Sequence, residues 1–326
     1  MGSVGPAHLD RRFPAPLPTM RVATIDVGTN TVLLLIADRR ADGSLIAVEE
    51  RARITRLGEG VDIARRFSPD ALDRTQACLD EYARAVRNLG ADRVAVVGTS
   101  AMRDAGGGEA LLAHIEASFG VPVQVISGEE EARLTFRGAL GGLPIPDGVD
   151  TAVFDIGGGS TEVVLGSLDS GRTVLGYSAS FDVGSVRLTE RHVRSDPPDA
   201  ADRAAVRRTV DDAFASVPPL PSGEAPVGIA GTMTTLAAVS LGLSAYNGAR
   251  VHGHALSRDE LQRVVRELAA MPLQARRLVA GMEPKRADVI VAGGIIALSL
   301  LEHWNAREVL VSDRGVRWGL AEELAR

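Results

Sequence analysis

The sequence predicts a two-domain α/β protein, and three observations lead to that prediction. The chain has 326 residues, more than a single hydrophobic core commonly serves. Strand patterns alternate with helix patterns along its length, which favours mixed sheets covered by helices. A unit of three strands with a glycine turn occurs twice, at residues 21–55 and 151–181, which indicates an internal duplication. We therefore expect two α/β domains whose sheets face each other.

Composition narrows the class of protein. Hydrophobic residues make up 45% of the chain and charged residues 24%, which is typical of a globular protein and excludes wholesale disorder. The longest mostly apolar stretch, Val289 to Leu301, has 13 residues, too few to cross a bilayer, so we expect no membrane partner. A formal charge of −6 and an aromatic content of 4% argue against nucleic acid as a partner.

The single cysteine and the N-terminal segment bear on where the protein works. Cys78 alone can form neither an internal disulfide nor a cysteine-based metal site, which fits a reducing compartment. Its place on an apolar helix stripe predicts core packing rather than reactivity. Residues 1–20 are proline-rich and aperiodic and lack the apolar core of a secretory signal. We expect a disordered tail over 1–20 and a cytoplasmic protein.

The first domain is predicted over residues 21–126. It opens with a strand, a tight turn and a second strand, because aliphatic runs flank Gly28-Thr29-Asn30. A third strand follows the hairpin dipeptide Asp42-Gly43. A helix begins after Ser68, with Pro69 at its first position. The pattern then predicts a strand at Val94–Val97, a helix that carries Leu111 and Ile115, and a strand at Val123–Ile126.

The second domain is predicted over residues 127–314. A helix starts at Ser127 with Glu130 three residues on, the spacing of a capping box. The glycine turn of DIGGGST separates two strands within 151–165, and a third strand runs from Thr173 to Phe181. The later elements are helices near 200–216, 234–241, 257–270 (again with a capping box, Ser257 and Glu260) and 293–304, and a strand at 308–311. A last helix, at about 315–326, is a candidate to pack back on the first domain.

Each copy of the repeat places an aspartate next to a glycine turn. Aligning Asp26 with Asp155 would bring two carboxylates to one cleft. Carboxylates repel phosphate, so their role would be to hold a divalent cation, Mg²⁺ or alternatively Mn²⁺. The backbone N–H groups of a glycine turn form a cradle for phosphate oxygens. The predicted phosphate-binding residues of the two turns are Gly28, Thr29, Asn30, Gly157, Gly158, Gly159, Ser160 and Thr161.

Eight motifs together resemble the exopolyphosphatase/guanosine pentaphosphate phosphatase family of the actin-like ATPase superfamily. In chain order they read IDVGTNTVLLLIA, VVGTSAMRDA, VISGEEEARL, DIGGGSTEVV, SFDVGSVRLTE, GIAGTMTTLA, VHGHALS and VAGGIIAL. They run from residue 21 to the C-terminus, so the resemblance covers essentially the whole chain. It implies two actin-like (ribonuclease H-like) domains, with mixed five-stranded sheets flanked by helices and a cleft between them.

The resemblance also implies roles for individual residues. Glu131 matches the family's catalytic base, and its place in the first turn of a capped helix favours its ionised form. The opposing interpretation is that Glu129, Glu130 and Glu131 only stabilise the helix start; of these, Glu130 would be occupied by the capping box. Arg103 matches the arginine that grips phosphate, and a guanidinium fork suits a tetrahedral oxyanion. By position, Glu162 is similar to a carboxylate near the metal, and Gly231 and Thr232 to a later phosphate-facing loop.

The function that the resemblance implies is Mg²⁺-dependent release of terminal orthophosphate from inorganic polyphosphate. Water activated by Glu131 would attack in line. The alternative is 5′-phosphohydrolysis of guanosine pentaphosphate, pppGpp, at the same site. The SGEEEARL stretch disfavours a sugar or acid kinase, and the joint presence of Asp26, Asp155, Arg103 and Glu131 disfavours a nucleotide-binding regulator or filament former. The family further implies a homodimer, and the absence of its extra C-terminal helical domains leads us to expect a bias to short chains.

The remaining basic residues give weaker indications. Lys285 is the only lysine in the chain, and its EPKRAD context excludes a Walker phosphate loop. His252 and His254 flank a glycine, and without a third ligand nearby they favour a structural turn over a metal pair. The arginines that we expect along a polyphosphate channel are Arg133, Arg137, Arg187, Arg191 and Arg194.

Overall fold

The computed structural model describes residues 20–59, 61, 65–220 and 225–326. The predicted tail lies outside these residues, apart from Met20, which is the first residue of the first strand. No helix in the described ranges is long and apolar enough to cross a bilayer.

The first sheet has five strands in the order β3-β2-β1-β4-β5. Its strands are β1 (Met20–Val27), β2 (Thr31–Arg39), β3 (Leu45–Ile54), β4 (Arg93–Gly98) and β5 (Val123–Val125). The first three form an antiparallel meander, and β4 and β5 add in parallel to β1. The predicted strands of this domain are therefore present, within one or two residues of their expected bounds.

The second sheet has six strands in the order β10-β11-β9-β6-β7-β8, where five were expected. They are β6 (Thr151–Ile156), β7 (Thr161–Asp169), β8 (Arg172–Phe181), β9 (Val227–Ile229), β10 (His254–Ser257) and β11 (Glu308–Val311). The prediction of five strands in this sheet is wrong, because β10 adds a sixth strand at the sheet edge through its pairing with β11. It pairs with the edge of β11 in antiparallel register.

The duplicated unit is visible in the strand registers. Asp26 pairs across its hairpin with Leu33, and Asp155 pairs across the equivalent hairpin with Glu162. Both meanders carry a register shift ten residues after the aspartate, at Ile36/Ala37 in one and at Leu165/Gly166 in the other. A shared bulge at one offset is what a repeat preserves, because a bulge fixes which side chains face the core.

Helices cover both sheets. In chain order they are α1 (Pro69–Leu89), α2 (Ser100–Asp104), α3 (Glu109–Phe119), α4 (Gly128–Leu140), α5 (Ser185–His192), α6 (Ala200–Phe214), α7 (Ala230–Ser240), α8 (Gly248–Val251), α9 (Arg258–Ala269), α10 (Leu273–Arg276), α11 (Ile290–His303) and α12 (Val316–Leu324). A short 3₁₀ turn occupies Pro284–Arg286. Cys78 on α1 is fully buried in the first domain's core, which confirms the prediction of a packing role.

Helices α4 and α12 lie together between the two sheets. Trp318 and Ala321 of α12 pack with Val22 and Leu35 of the first sheet, while α4 also contacts β7, β8 and β9 of the second. The backbones of the two helices are in contact at Gly138 and Gly315. A Cβ added to Gly138 would lie 2.1 Å from the carbonyl oxygen of Gly315, which leaves no room for a side chain there. The last helix of the chain therefore packs on the first domain's sheet.

The predicted helix caps are half correct. Ser127 Oγ accepts from the Glu130 backbone N–H at 3.1 Å, and Ser257 Oγ accepts from that of Glu260 at 3.2 Å. The reciprocal glutamate bonds are not made: the Glu130 carboxylate pairs with Arg133, and that of Glu260 accepts from Ser240. In both helices a side-chain donor, Arg133 in one and Ser240 in the other, thus replaces the backbone N–H of the N-cap residue as the partner of the glutamate.

Candidate active site

A cleft of about 470 Å³ lies between the two domains, beside the α4–α12 pair. The first domain contributes Asp26 and Thr31, and the second contributes Asp155 with the start of α7. The first turns of α4 and α12 complete the wall through Glu131, Gly315, Val316 and Arg317. Three helix N-termini therefore open on one cavity, and the positive ends of their dipoles favour an anion there.

Asp26 is the most buried of the three predicted metal ligands, which are Asp26, Asp155 and Glu162. Its side chain is 8% exposed, and no described residue donates a hydrogen bond to its Oδ1. Burial, with the charge of Glu131 as a second cause, raises the pKa of Asp26 to about 7, although Arg317 acts in the opposite direction. An unpartnered buried carboxylate of this kind needs a counter-charge when it is ionised.

Asp155 is placed in the same way at the end of β6. Burial, with the charge of Glu162 across the hairpin as a second cause, raises the pKa of Asp155 to about 7, although Arg286 acts in the opposite direction. The Glu162 carboxylate itself accepts from Ser160 Oγ at 2.6 Å and from Ser180 Oγ at 2.7 Å. Glu131 also acts on Asp155, so its charge reaches both aspartates and all three carboxylates lie in one region of the cleft.

The chemistry of this donor set fits Mg²⁺ bound in its usual manner. Mg²⁺ is commonly held by one or two carboxylates, with water and substrate phosphate oxygens as the other ligands. Asp26 and Asp155 would supply the carboxylates, and the cation would offset the cost of burying them. Within the described ranges no group of three or more His, Cys, Asp and Glu residues could enclose a metal alone.

The glycine turn of the second domain is exposed at Gly158 and Gly159, and its residues are not among those that line the cleft cavity. The carbonyls of Gly157 and Gly158 accept from the first N–H groups of α5, at 2.9 Å for Ser185 and Val186. Among the described residues no acceptor is found for the N–H groups of Gly158 and Gly159, and both glycines are exposed. The turn thus has its acceptors satisfied and its donors available, as an anion cradle requires.

The turn of the first domain is built alike but braced differently. Gly28 N–H donates to the Thr31 carbonyl at 3.1 Å, as Gly157 N–H does to that of Ser160 at 3.0 Å. The Asn30 carbonyl accepts from the N–H groups of Thr55 and Arg56, so a strand end rather than a helix supports this turn. Thr29 and Asn30 are exposed at its tip.

Two of the predicted phosphate-binding hydroxyls face the protein interior. Thr161 is fully buried, and its Oγ1 donates to the Val183 carbonyl at 2.5 Å. Thr232 is 2% exposed, and its Oγ1 donates to the Ile156 carbonyl at 2.9 Å. Gly231 and Thr232 also lie in the first turn of α7 rather than in a loop, because that helix begins at Ala230, earlier than predicted. The hydroxyls stabilise the cleft wall from behind.

The structure brings Arg103 and Glu131 together. Arg103 Nη1 donates to Glu131 Oε2 at 2.9 Å and to the Ile126 carbonyl at 2.7 Å. Both side chains are about one-third exposed, and Glu131 of this pair lines the cleft. A phosphate that enters would compete with Glu131 for this guanidinium. In the sequence a helix and a strand lie between the two residues. In the fold, the N-terminus of α4 places Glu131 next to Arg103.

Arg286 is a cleft cation that sequence reasoning missed. A Cβ added to Gly231 would lie 2.0 Å from Arg286 Nη2, so the guanidinium rests against the backbone of α7. It lines the cleft and acts on Asp155, yet its guanidinium makes no hydrogen bond with the described residues. The glycine is required here by close approach rather than by an unusual backbone angle. Only the EPKRAD stretch marked this position, and there it served to exclude another motif.

Other cleft residues were also missed, while the expected arginines lie elsewhere. Arg314, Arg317, Asp313 and Tyr246 line the cleft, and Tyr246 is 60% exposed. Four of the five arginines predicted for a channel have local partners. Arg133 pairs with Glu130 and Glu323, Arg137 with Glu322, and Arg187 with Asp182, and Arg194 donates to the Glu190 and Arg191 carbonyls. Arg187 alone of these touches the second glycine turn, through the Gly159 carbonyl.

The two histidines of the HGH stretch do not form a metal pair. His252 Nε2 bonds the Gly141 carbonyl at 3.0 Å, and its Nδ1 lies 3.2 Å from Ser312 Oγ. His254 lies in β10, and its Nε2 is buried with no partner among the described residues. The prediction of a structural role agrees with these contacts.

The chain is similar to known proteins over nearly its full length. Residues 35–325 match the model of the Ppx/GppA phosphatase family. Exopolyphosphatase 2 of Mycobacterium tuberculosis is 41% identical, with 94% of this chain and 98% of that protein aligned. Guanosine-5′-triphosphate,3′-diphosphate pyrophosphatase of Vibrio cholerae is 27% identical, with 93% and 59% aligned.

Solved structures agree with the family match. The crystal structure of the Aquifex aeolicus family member superposes with a TM-score of 0.82 at 33% identity, over 93% of this chain and 97% of that one. This likeness confirms the actin-like α/β fold that the eight motifs predicted. On the family match, the identity and the superposition together, the chain belongs to the Ppx/GppA phosphatase family.

Proposed function

We propose that the protein is an exopolyphosphatase, which hydrolyses the terminal phosphoanhydride bond of inorganic polyphosphate with Mg²⁺ as its cation. The observation that carries the proposal is the convergence of Asp26, Asp155 and Glu131 at one cleft, with Arg103 hydrogen-bonded to Glu131. The name of the 41% identical relative points to the same substrate. A homodimer and a cytoplasmic location stay predictions from the sequence.

The substrate's negative charge would be balanced by groups of both domains. The free N–H groups of Gly158 and Gly159 and the N-terminus of α7 would bind phosphate oxygens. Arg286 would add a guanidinium that costs no existing hydrogen bond. Bound Mg²⁺ would supply charge neutralisation at the transferring phosphoryl group, and Asp26 and Asp155 would hold it.

Glu131 would position the attacking water and accept its proton. As the water oxygen bonds to the terminal phosphorus, the bond from that phosphorus to the bridging oxygen breaks, and the shortened chain leaves with the bridging oxygen. Arg103 would move from the Glu131 carboxylate to the incoming phosphate, which frees Oε2 to act as base. No covalent intermediate is required, because positioning and electrostatic stabilisation supply most of the catalysis of phosphoryl transfer.

A second substrate, the guanosine pentaphosphate, is favoured by one feature of the cleft. Tyr246 presents an exposed ring beside the phosphate-binding wall, where a purine base could stack. The Vibrio cholerae relative is named for a guanosine polyphosphate. Faster phosphate release from pppGpp than from tripolyphosphate, lost on Tyr246→Ala, would make the nucleotide the main substrate.

The test is phosphate release from tripolyphosphate, longer polyphosphates, pppGpp and ATP, with and without Mg²⁺. We expect Glu131→Gln to lower kcat for polyphosphate by about 10²–10⁴-fold, since it removes the base without altering side-chain size. Glu129→Gln, two residues earlier in α4 and exposed, is the matched control and should retain activity. Loss of less than tenfold in Glu131→Gln would remove Glu131 from the role of base.

A further inference from the structure

A second cavity, of about 510 Å³, lies at the far ends of α4 and α12 from the catalytic residues. Glu131 is in the first turn of α4, whereas Arg137 in its last turns lines this second cavity. The turn between β2 and β3 forms the opposite wall through Arg39 and Ser44. Residues of the first domain and of α4 therefore enclose one space.

Four arginines converge on this cavity from separate elements. They are Arg39 at the end of β2, Arg137 on α4, Arg314 before α12 and Arg326 after it. Arg137 is 6% exposed, and its Nη1 donates to the Gly171 carbonyl at 2.8 Å, the same oxygen that accepts from Arg326 Nη2 at 2.6 Å. Two guanidinium groups thus share one carbonyl of the β7–β8 turn.

One carboxylate lines the cavity beside these four arginines. Glu322 is the carboxylate in its wall, 3.0 Å from Arg137, and burial raises the pKa of Glu322. Asp313, Glu322 and Glu50 act on Arg314, and Glu50 is also paired with Arg317. Burial lowers the pKa of Arg137, with Glu322 and Glu323 acting against this shift and Arg326 and Arg133 acting with it. Four guanidinium groups and one carboxylate therefore stand among the residues that line this cavity.

We propose that this cavity is a second binding site, separate from the catalytic cleft, for a small phosphate polyanion of the pyrophosphate type. Guanidinium groups bind phosphate oxygens through paired N–H donors, and several of them around one cavity favour more than a single phosphate. The pyrophosphate group could come from an inorganic chain or from a nucleotide. Arg314 lines both cavities, so the two sites share one side chain as a wall.

The test measures binding rather than turnover, so that it does not depend on the proposed hydrolysis. Methylenediphosphonate, which cannot be hydrolysed at its P–C–P link, is titrated calorimetrically in EDTA against a background variant, Arg103→Gln/Arg286→Gln, that weakens binding in the cleft. We expect one bound probe per chain. Adding Arg39→Gln and Arg326→Gln should weaken that binding by about tenfold for each guanidinium removed.

Charge-matched controls separate a site from a general loss of positive charge. Arg208→Gln/Arg277→Gln, two exposed arginines far from both cavities in the sequence, changes the net charge equally and should leave the affinity unaltered. Ser44→Asp adds a carboxylate at the cavity rim without removing an arginine contact, and should also weaken binding. No probe bound to the background variant at millimolar concentration, or equal weakening by the control pair, would overturn the proposal. An α,β-methylene ADP titration assigns the source: tighter binding than the bare probe indicates a nucleotide, equal or weaker binding an inorganic chain.

Discussion

The two domains repeat one backbone design but differ in the groups that the repeat carries. In both, an aspartate stands one residue before the end of the first strand, a glycine N–H donates to the carbonyl three residues later, and a bulge follows at the same offset. Across the hairpin, however, Asp26 faces Leu33 whereas Asp155 faces Glu162. Duplication thus explains why each domain has one of these aspartates. Later divergence explains why the charged groups around the two aspartates differ.

The fourth strands of the two domains differ in a way that matters for binding. The parallel registers align Thr99, after β4, with Gly231, after β9. Thr99 is 5% exposed, whereas the missing side chain of Gly231 makes room for Arg286. The first domain instead brings its cation, Arg103, from α2 and pairs it with Glu131. The comparison teaches that the scaffold is symmetric while the phosphate-handling groups are not.

The largest expected effect tests the symmetric part. If the two aspartates hold one cation together, Asp26→Asn and Asp155→Asn should each lower kcat for tripolyphosphate by about 10²–10³-fold, since a metal supplies several kcal/mol of charge stabilisation. The measurement is phosphate release at saturating substrate over a range of Mg²⁺ concentrations. A large loss in only one variant would break the symmetry and assign the cation to a single domain.

A smaller effect tests the asymmetric part. Gly231→Ala places a Cβ where the Arg286 guanidinium rests, and should lower kcat/KM by roughly tenfold, the value of one charge-assisted hydrogen bond. Stability should not fall, because the displaced group is a flexible side-chain end and alanine is favoured in a helix by up to about 1 kcal/mol. Thermal unfolding and kinetics are measured together.

The matched variant for this prediction is Arg286→Ala. Because both changes act through the same guanidinium, the double variant should be no worse than Arg286→Ala alone. Additive losses would show that Gly231 contributes to the cleft independently of Arg286.

The sequence was sufficient for the elements whose signal is local. The Gly28 and Gly157 turns, the Ser68 and Ser127 caps and the Cys78 stripe depend on neighbours within a few residues, and each agrees with the structure. The short β10 could not be predicted, because its four residues become a strand only through pairing with β11. The glutamate halves of the two capping boxes failed for the same reason, since side chains outside the local window compete for those carboxylates.

The candidate site was predicted where its residues stand in motifs and missed where they do not. Asp26, Asp155 and Glu131 stand in motifs, and the structure brings them to one cleft. Arg286 and Tyr246 stand in no motif, and their approach depends on a 3₁₀ turn and a loop from distant parts of the second domain. Thr161 and Thr232 show the opposite error, since a hydroxyl in a binding motif can serve the wall instead of the ligand.

The smallest expected effect concerns the negative charge of Glu162 beside Asp155. The first domain has Leu33 at the equivalent position and so lacks this charge. The folded-state pKa of Asp155 is raised to about 7, above its unfolded value near 4. Between these two pH values the folded, metal-free protein therefore keeps a proton on Asp155 that the unfolded chain has lost. The free energy of unfolding should therefore fall as pH rises through that window. Glu162→Gln removes one cause of the raised pKa, and should make this fall smaller by on the order of 1 kcal/mol. Denaturant unfolding in EDTA at pH 5 and pH 8 measures the difference, with the exposed Glu116→Gln as a charge-matched control. An equal pH dependence in wild type and Glu162→Gln would mean that the hairpin partner of Asp155 does not contribute to its raised pKa, as Leu33 does not contribute to that of Asp26.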